Sequence, residues 1–333
     1  MVPNKLNVMF VTFPYGGNGG APSTFPETVE WIARTAAKAK ADERVQAVFG
    51  YQAADTPITM TRNAAVVEAR KRGVDVLVMV DSDVYPDYEL DHHHDKTQVP
   101  FWDAAFNFLY EHWHIGPVVI GAPYCGPPPF ENVYVFNWQN YRNDDPSLNF
   151  KLGPYTREHA SQMAGIKPCG ALPTGLIMFD VRAFDLTEPD PDDFDVRMER
   201  WLTDYQGQTL TSGLIEQIAQ RCAREKFIAE HSWFYYEYER DRVSGKCFQE
   251  RKASTEDVTA TRDIGLVGQL KLGYNPIHCA WSSWAGHVKP IVVGKPVVMR
   301  HEEVAGIYKR AAENKIESDR VCVDVEQLIK SVA

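Results

Sequence analysis

A short apolar run, Val76–Val80, constrains the fold more than any other stretch of the sequence. It is rich in β-branched residues and lies between Gly73 and a pair of carboxylates, Asp81 and Asp83. An apolar run of this length predicts a strand that is buried on both faces, as in a parallel sheet covered by helices. Ligand crevices of open α/β sheets lie outside the carboxyl ends of the strands. The sequence therefore puts two carboxylates where a ligand would bind.

The spacing of these carboxylates suits a shared divalent cation. Asp81 and Asp83 are separated by one residue, on chain that turns out of the predicted strand. A hard cation such as Mg²⁺ or Mn²⁺ takes few protein carboxylates and completes its shell with water and substrate phosphates. The pair could instead only solubilise the end of a strand, and by itself it does not decide between the two interpretations.

The alternation of strands and helices in the first half predicts an α/β domain. A chain of 333 residues with 44% hydrophobic residues can bury a substantial core. No low-complexity linker interrupts it before about residue 180, which favours one elaborated domain. The predicted strands are Leu6–Phe13, Val45–Tyr51 and Val118–Ala122, and the predicted helices are Thr28–Lys40 and Thr61–Arg72.

Two features of the first half could contact a nucleotide. The glycine-rich stretch Pro14–Gly20 follows the first predicted strand, but it is neither a GxGxxG nor a GxxxxGK[ST] motif. It is either a flexible loop or a nucleotide contact. Arg62 and Asn63 fall in the first predicted turn of a helix, where a positive charge opposes the helix dipole. Arg62 therefore either binds an anion such as a phosphate or lies on the surface.

Three features of the second half could also belong to a site. The small-residue stretch Gly170–Gly175 either only shapes a turn or lets a sugar ring lie against the backbone. Glu256 and Asp257 open a predicted helix with Ser254 as its cap, where the dipole favours acidic residues. They could instead face a cleft as an acceptor ligand or general base. His287, on a predicted loop, is a candidate ligand.

Composition disfavours several classes of function. The net charge of −10, from 35 basic and 45 acidic residues, disfavours a broad surface for nucleic acid or anionic membranes. Six cysteines without a CxxC pair predict reduced thiols rather than a disulfide framework or a zinc site. The sequence shows no signal-peptide pattern, and no stretch approaches the ~18 apolar residues of a membrane span. We therefore expect a soluble, cytoplasmic protein.

The order of these features resembles the GT-A glycosyltransferases, in particular DxD-containing, family 2-like members. These enzymes have a nucleotide-binding loop, an RN pair, a DxD, a small-residue turn, an ED-type pair and a late His. The resemblance spans roughly residues 5–290 and is closest over 61–84. The corresponding segments are Val11–Gly17, Arg62-Asn63, Asp81-Ser82-Asp83, Gly170–Gly175, Glu256-Asp257 and His287.

The resemblance implies a Rossmann-like GT-A fold, an α/β architecture with a mixed sheet flanked by helices and an elaborated C-terminal half. Residues 1–290 would form the catalytic domain. Within it, about 1–125 would bind the nucleotide sugar and 126–290 would bind the acceptor. Residues 291–333 would form a covering extension. The segment 176–253 does not align with the usual acceptor region.

The resemblance also implies a nucleotide-diphosphate sugar donor, UDP- or GDP-linked, and a bound Mn²⁺ or Mg²⁺ that acts as a Lewis acid on the leaving diphosphate. In an inverting member, Asp257 or Glu256 would deprotonate the acceptor hydroxyl, whereas a retaining member needs no base there. The metal ligands would be Asp81, Asp83 and His287. The residues near the donor would be Thr12, Pro14, Tyr15, Arg62, Asn63, Ser82, Gly170 and Gly175.

Other classes remain open from the sequence. The DSD pair could serve another metal-dependent phosphoryl or nucleotidyl enzyme, or the domain could be a non-catalytic carbohydrate-binding module. The acceptor could be a glycan, a small molecule or, as for some bacteriophage-encoded GT-A enzymes that this chain resembles, a modified DNA base. Trp281 and Trp284 either stack on sugar faces or belong to the core.

Overall fold

In a computed structural model, helices cover both faces of one mixed sheet. The structure describes residues 5–14, 23–53, 58–126, 132–139, 151–188, 207–209, 211–240, 247–288, 292–293 and 324–332. The described strands are β1 (Leu6–Phe13), β2 (Val45–Gln52), β3 (Val76–Asp81), β4 (Val84–Tyr85), β5 (Val119–Gly121), β6 (Phe136–Gln139), β7 (Lys151–Pro154), β8 (Ile166–Pro168), β9 (Leu176–Asp180), β10 (Glu237–Arg240), β11 (Cys247–Ser254), β12 (Ile277–Ala280), β13 (Gly286–Val288) and β14 (Val292–Val293). The described α-helices are α1 (Pro26–Ala41), α2 (Ile58–Lys71), α3 (Tyr88–His93), α4 (Phe101–His112), α5 (Arg157–Ser161), α6 (Ser212–Glu230), α7 (Glu256–Leu272) and α8 (Val325–Ser331).

Seven strands form the central sheet in the order β2-β1-β3-β9-β5-β12-β8. Strand β1 is parallel to β2 and β3, and β12 is parallel to β5. Strand β9 lies antiparallel between β3 and β5, and β8 is antiparallel to β12. The predicted α/β architecture with a mixed sheet flanked by helices is therefore confirmed. The apolar run of β3 predicted a strand inside a parallel sheet. Strand β3 instead has one parallel neighbour, β1, and one antiparallel neighbour, β9.

The apolar run in β3 separates two cores. Leu77 and Met79 pack in the core that includes α2 and α7, and the intervening valines pack in the core that includes α1, α4 and α8. Because side chains alternate along a strand, Asp81 follows Leu77 and Met79 onto the α2 and α7 side. The strand thus delivers its terminal carboxylate to a defined face of the sheet.

A smaller sheet extends the edge where β3 ends. Strand β4 pairs antiparallel with β13, so that Val84 lies opposite His287 and Tyr85 lies opposite Gly286. His287 is therefore part of a strand, and the predicted loop is wrong. Two further two-stranded sheets, β6–β7 and β10–β11, lie outside the central sheet. Within the part of the chain that the structure describes, no helix is long and apolar enough to cross a membrane.

Helix α8, the described helix of the 291–333 segment, lies against β2 and α1. The Lys40 ammonium donates to the carbonyl of Ile329 at 2.5 Å, and the Arg72 guanidinium donates to the Glu326 carboxylate at 2.9 Å. Gly50 in β2 allows the close approach, because a Cβ atom there would lie 2.7 Å from the Val325 carbonyl oxygen. The helix therefore covers the edge strand of the sheet, which would otherwise be open to pairing.

Substituting Gly50 tests this close approach. We expect Gly50→Ala to lower the free energy of unfolding by about 1–3 kcal/mol, because the added methyl group forces α8 away from β2. Urea denaturation measures the change. The matched control is Gly213→Ala in α6, where a Cβ atom would meet nothing within 4 Å. Equal stability of the two variants would show that α8 is not held as closely as described.

The loop after the DSD is held by a buried carboxylate. Asp87 has a left-handed backbone with φ of 58°. Its side chain accepts hydrogen bonds from the Trp31 indole at 2.6 Å and from the Phe101 backbone N–H at 2.7 Å. Burial raises the pKa of Asp87, and these two hydrogen bonds offset only part of that increase. Asp87 therefore joins α1 to the start of α4 behind the candidate site.

Because the pKa of Asp87 is raised, its contribution to the stability of the protein should depend on pH. Because the unfolded chain releases this proton near the ordinary value of 3.8, the folded state binds more protons above that pH, and stability falls as the pH rises. The unfolding free energy of the wild type minus that of Asp87→Asn should therefore decrease from pH 4 towards neutrality. Urea titrations of both proteins across this range measure the difference. An increase with pH would mean that the hydrogen bonds outweigh burial.

Candidate functional site

Three elements meet at a buried arginine beside the carboxyl end of β3. The Arg62 Nη2 atom, on α2, lies 2.9 Å from both carboxylate oxygens of Asp81. Its Nη1 atom lies 2.5 Å from Oε1 of Glu256, the first residue of α7. The guanidinium also lies 5.5 Å from the Phe13 ring centroid, at the end of β1. One side chain thus joins two strands of the sheet to two helices.

Burial makes this contact electrostatically strong. Arg62 is only 3% exposed, so the interpretation of Arg62 as a surface residue is wrong. Burial alone would lower the pKa of Arg62, but Asp81 and Glu256 outweigh it and the pKa is raised. Burial likewise raises the pKa of Asp81 and of Glu256, and the nearby guanidinium offsets part of that increase. In the protein interior, each of these three charges is stabilised by its oppositely charged partner.

The neighbouring residue Asn63 has a structural role. Its side-chain amide donates to the Phe234 carbonyl at 3.0 Å, and its carbonyl accepts from the Phe234 N–H at 2.9 Å. The pair also lies one turn further into α2 than predicted, because this helix already includes Ile58. The expected position of Arg62 and Asn63 in the first turn of the helix is therefore wrong, and their contacts with a donor stay predictions.

The second aspartate of the DSD faces a histidine. Asp83 Oδ2 lies 3.5 Å from His287 Nε2. The backbone fixes this approach, because the Val288 N–H donates to the Asp83 carbonyl at 2.7 Å. His287 Nδ1 lies 3.1 Å from the Cys125 carbonyl oxygen. Since a carbonyl oxygen only accepts, Nδ1 carries the proton of this hydrogen bond, and in the neutral ring Nε2 keeps its lone pair.

The structure thus divides the DSD. Asp81 binds Arg62, and Asp83 lies beside His287. Within the described residues, no three His, Cys, Asp or Glu side chains come together closely enough to hold a metal ion. The three predicted metal ligands therefore do not form one cluster. Asp83 and His287 are the two that the structure brings together.

The two carboxylates at the start of α7 have different surroundings. Glu256 is buried and paired with Arg62, whereas Asp257 is half-buried. Asp257 Oδ1 accepts from the Thr255 hydroxyl at 2.5 Å and from the Val258 N–H at 2.8 Å. Thr255 is the N-cap residue, so the predicted cap at Ser254, which ends β11, is wrong.

Asp257 belongs to the same edge of the sheet as the DSD. Its charge contributes to raising the pKa of Asp81, of Tyr124 and of Arg62. Its Oδ2 atom has no hydrogen-bond partner among the described residues. Asp257 therefore has an oxygen available to a ligand and is more exposed than Glu256.

Sequence reasoning missed Tyr124. Its ring centroid lies 5.2 Å from that of His287, and it fills the space beside Gly175, where a Cβ atom would lie 2.6 Å from the ring. Burial, together with Asp81 and Asp257, raises the pKa of Tyr124 well above its ordinary value. Tyr124 follows β5, whose carboxyl end lies at the same edge as that of β3, and this rule could have identified it.

The other predicted donor contacts are covered by protein. Thr12, Pro14 and Ser82 are buried, which leaves their side chains little surface for a nucleotide. Leu152 lies beside Gly170 as Tyr124 lies beside Gly175, and the contact of either glycine with a sugar stays a prediction. Tyr15 lies outside the described residues.

The two tryptophans near His287 are core residues. Trp281 is 0% and Trp284 is 1% exposed, and their ring centroids lie 5.9 Å apart. Neither ring has a face open to solvent on which a sugar could stack. Of the two interpretations of these residues, packing in the core is therefore correct.

Comparisons with known proteins leave the family open. No protein-family model matches the sequence, and no curated protein matches it significantly. Among solved structures, the crystal structure of A197 from STIV aligns with 89% of this chain and 96% of its own chain, with a TM-score of 0.39 and 8% sequence identity. A likeness at this level assigns neither a fold family nor an activity to the chain.

Proposed function

We propose that the chain is a metal-dependent glycosyltransferase of the GT-A type, which moves a sugar from a UDP- or GDP-linked donor to an acceptor hydroxyl. The observation that carries the proposal is the pairing of Asp83 with His287, whose Nδ1 is committed to the Cys125 carbonyl. A histidine fixed in this way by a backbone carbonyl is the usual arrangement of a metal ligand. It lies at the edge of the sheet where ligands of α/β folds bind.

The residues present fit a divalent cation. Asp83 supplies carboxylate oxygen and His287 supplies imidazole nitrogen, a donor set that suits Mn²⁺ better than Mg²⁺, which prefers oxygen alone. Two protein ligands leave positions for water and for diphosphate oxygens. The cation would offset the charge of the leaving diphosphate as a Lewis acid.

Asp257 is the better candidate for the acceptor base. In an inverting reaction, Asp257 Oδ2 takes the proton of the acceptor hydroxyl while the acceptor oxygen forms its bond to the anomeric carbon. The bond between that carbon and the diphosphate oxygen breaks, and its electron pair leaves with the diphosphate. Glu256 is less suited to this step because it is buried and ion-paired with the Arg62 guanidinium, with 2.5 Å between Nη1 and Oε1.

The contacts of Arg62 also argue against a two-metal phosphoryl or nucleotidyl enzyme. Such an enzyme needs several carboxylates free to bind two cations about 3.5–4 Å apart. Arg62 engages Asp81 and Glu256, two of the four carboxylates at this edge. A single cation held by Asp83 and His287 needs fewer carboxylates.

Binding of the donor is the first test. Thermal-shift measurements with UDP-, GDP-, CMP- and dTDP-sugars, with and without Mn²⁺, should show stabilisation by one nucleotide class that depends on the metal. A ligand present at about 100 Kd adds roughly 2.7 kcal/mol to the unfolding free energy. The absence of any metal-dependent shift would overturn the proposal. A shift without release of nucleotide would indicate the carbohydrate-binding module instead.

Substituting Asp257 and Glu256 one at a time should show which of the two adjacent carboxylates is the base. With the donor that binds, we expect Asp257→Asn to reduce turnover about 10²–10⁴-fold while the donor-induced thermal shift is kept. Glu256→Gln should cost less, because it keeps a hydrogen bond to Arg62. Nucleotide release in the presence of acceptor, or of water alone, measures the rate.

The matched control is Asp263→Asn on the same helix, whose side chain binds Tyr235 at 2.6 Å. We expect its turnover to equal that of the wild type. A larger loss in Glu256→Gln than in Asp257→Asn would transfer the base role to Glu256. Unchanged turnover in Asp257→Asn would favour a retaining reaction.

A further inference from the structure

We propose that a cavity at the amino end of β3 binds a free amino acid with an apolar side chain. The cavity has a volume of about 370 Å³, which is in the range of small-molecule sites. It is lined by Val74 and Asp75, which precede β3, and by Val181 and Arg182, which follow the antiparallel strand β9. The six residues of β3 separate it from the DSD by about 20 Å. The site is therefore distinct from the one described above, and the inference does not rest on the proposed function.

Arg182 presents donors to this cavity from a fixed position. Its Nε and Nη2 atoms bind the buried Asp180 carboxylate at 2.9 and 2.5 Å. Nη2 also donates to the Trp113 carbonyl at 3.1 Å, and the guanidinium lies 3.8 Å from the Trp113 ring centroid. The remaining nitrogen, Nη1, has no hydrogen-bond partner among the described residues. Its two N–H groups are therefore available to a ligand.

Arg70, in the last turn of α2, brings a second guanidinium to the lining. Its Nη2 atom binds Asp185 at 2.6 Å and Glu188 at 2.7 Å, and the guanidinium lies 4.7 Å from the Trp233 ring centroid. Its Nε and Nη1 atoms make no hydrogen bond within the part of the chain that the structure describes. Two guanidiniums that are held in place and keep unused N–H groups are suited to binding a carboxylate.

Asp75 supplies the opposite charge. Its Oδ2 atom accepts from the Asn7 N–H at 2.7 Å, whereas Oδ1 has no hydrogen-bond partner in the described ranges. Arg182 and Arg70 line the same cavity, but their ion pairs are with Asp180 and with Asp185 and Glu188, not with Asp75. The charge of Asp75 contributes to raising the pKa of Asp180, because the two carboxylates repel each other. A ligand ammonium group beside Asp75 would offset this repulsion.

The balance of charge and the apolar part of the lining indicate the class of ligand. Two arginines and two aspartates, Asp75 and Asp185, line the cavity. A simple anion would be repelled by the carboxylates, whereas a zwitterion offers a partner to both kinds of charge. Val74, Trp113 and Val181 are the buried apolar residues of the lining. A free amino acid with an apolar side chain matches all of these features.

Calorimetric titration of the full-length protein with L-leucine tests the inference. The comparison compounds are 4-methylpentanoate, which lacks the ammonium group, leucinamide, which lacks the carboxylate, and inorganic phosphate. L-Leucine should bind at least about tenfold more tightly than each of them, because each loses charge-assisted hydrogen bonds to one side of the cavity.

Two substitutions locate the ligand in the cavity. Arg70→Gln and Asp75→Asn should each weaken L-leucine binding at least about tenfold. Both residues are partly exposed, and Asp75→Asn keeps an oxygen that accepts from the Asn7 N–H, so we expect both variants to fold. The matched control is Arg34→Gln on α1, an arginine that pairs with Asp91 at 3.0 Å and does not line the cavity. This variant should bind L-leucine as the wild type does.

The outcomes are independent of the glycosyltransferase proposal, because no metal or nucleotide is present. Absence of saturable L-leucine binding at tens of millimolar would overturn the inference, and this result needs no variant. Equal binding of L-leucine and 4-methylpentanoate, or tighter binding of phosphate, would also overturn it, since the cavity would then recognise only an anion. Unchanged binding in both Arg70→Gln and Asp75→Asn would place the amino acid elsewhere and reject this cavity as its site.

Discussion

The arrangement of the candidate site depends on one buried cation. Removing a guanidinium from water is costly unless its partners are close and well oriented. Arg62 obtains them from Asp81 at the end of β3 and from Glu256 at the start of α7, and Glu256 is 194 residues from Arg62 in the sequence. Because both pairs must form for the interior to be stable, the first turn of α7 is fixed beside the end of β3. Asp257 is positioned by the same constraint.

The antiparallel strand β9 fixes the other side of the site. The Asp81 N–H donates to the Gly175 carbonyl at 2.8 Å, just before β9 begins. The missing side chain at Gly175 is what allows the Tyr124 ring to lie there, and that ring contacts His287. His287 in turn faces Asp83. A chain of packing contacts therefore connects the topology of the sheet to the orientation of the candidate ligand.

Local patterns predicted the sheet better than they predicted the site. Because both faces of Val76–Val80 are buried, this run has no polar position, and the strand and the carboxylates after it could be predicted from the sequence. The partner of Arg62 was not, because sequence spacing carries no information on which distant helix packs beside β3. His287 was expected on a loop, since a three-residue strand pairs through its backbone and needs no side-chain pattern. Gly175 was interpreted as part of a turn or as space for a sugar, because its local sequence carries no information on the Tyr124 ring, which comes from the chain after β5.

The division of the DSD follows from backbone geometry and not from side-chain chemistry. Asp81 still belongs to β3, where it pairs with Phe13 of β1, so strand alternation directs its carboxylate to the face that carries Arg62. Asp83 lies beyond the turn, where the Val288 N–H binds its carbonyl, and its side chain faces His287. Asp81 and Asp83, which are only two positions apart, therefore face different side chains. The buried Arg62 on the preceding helix gives the first aspartate a guanidinium partner inside the protein.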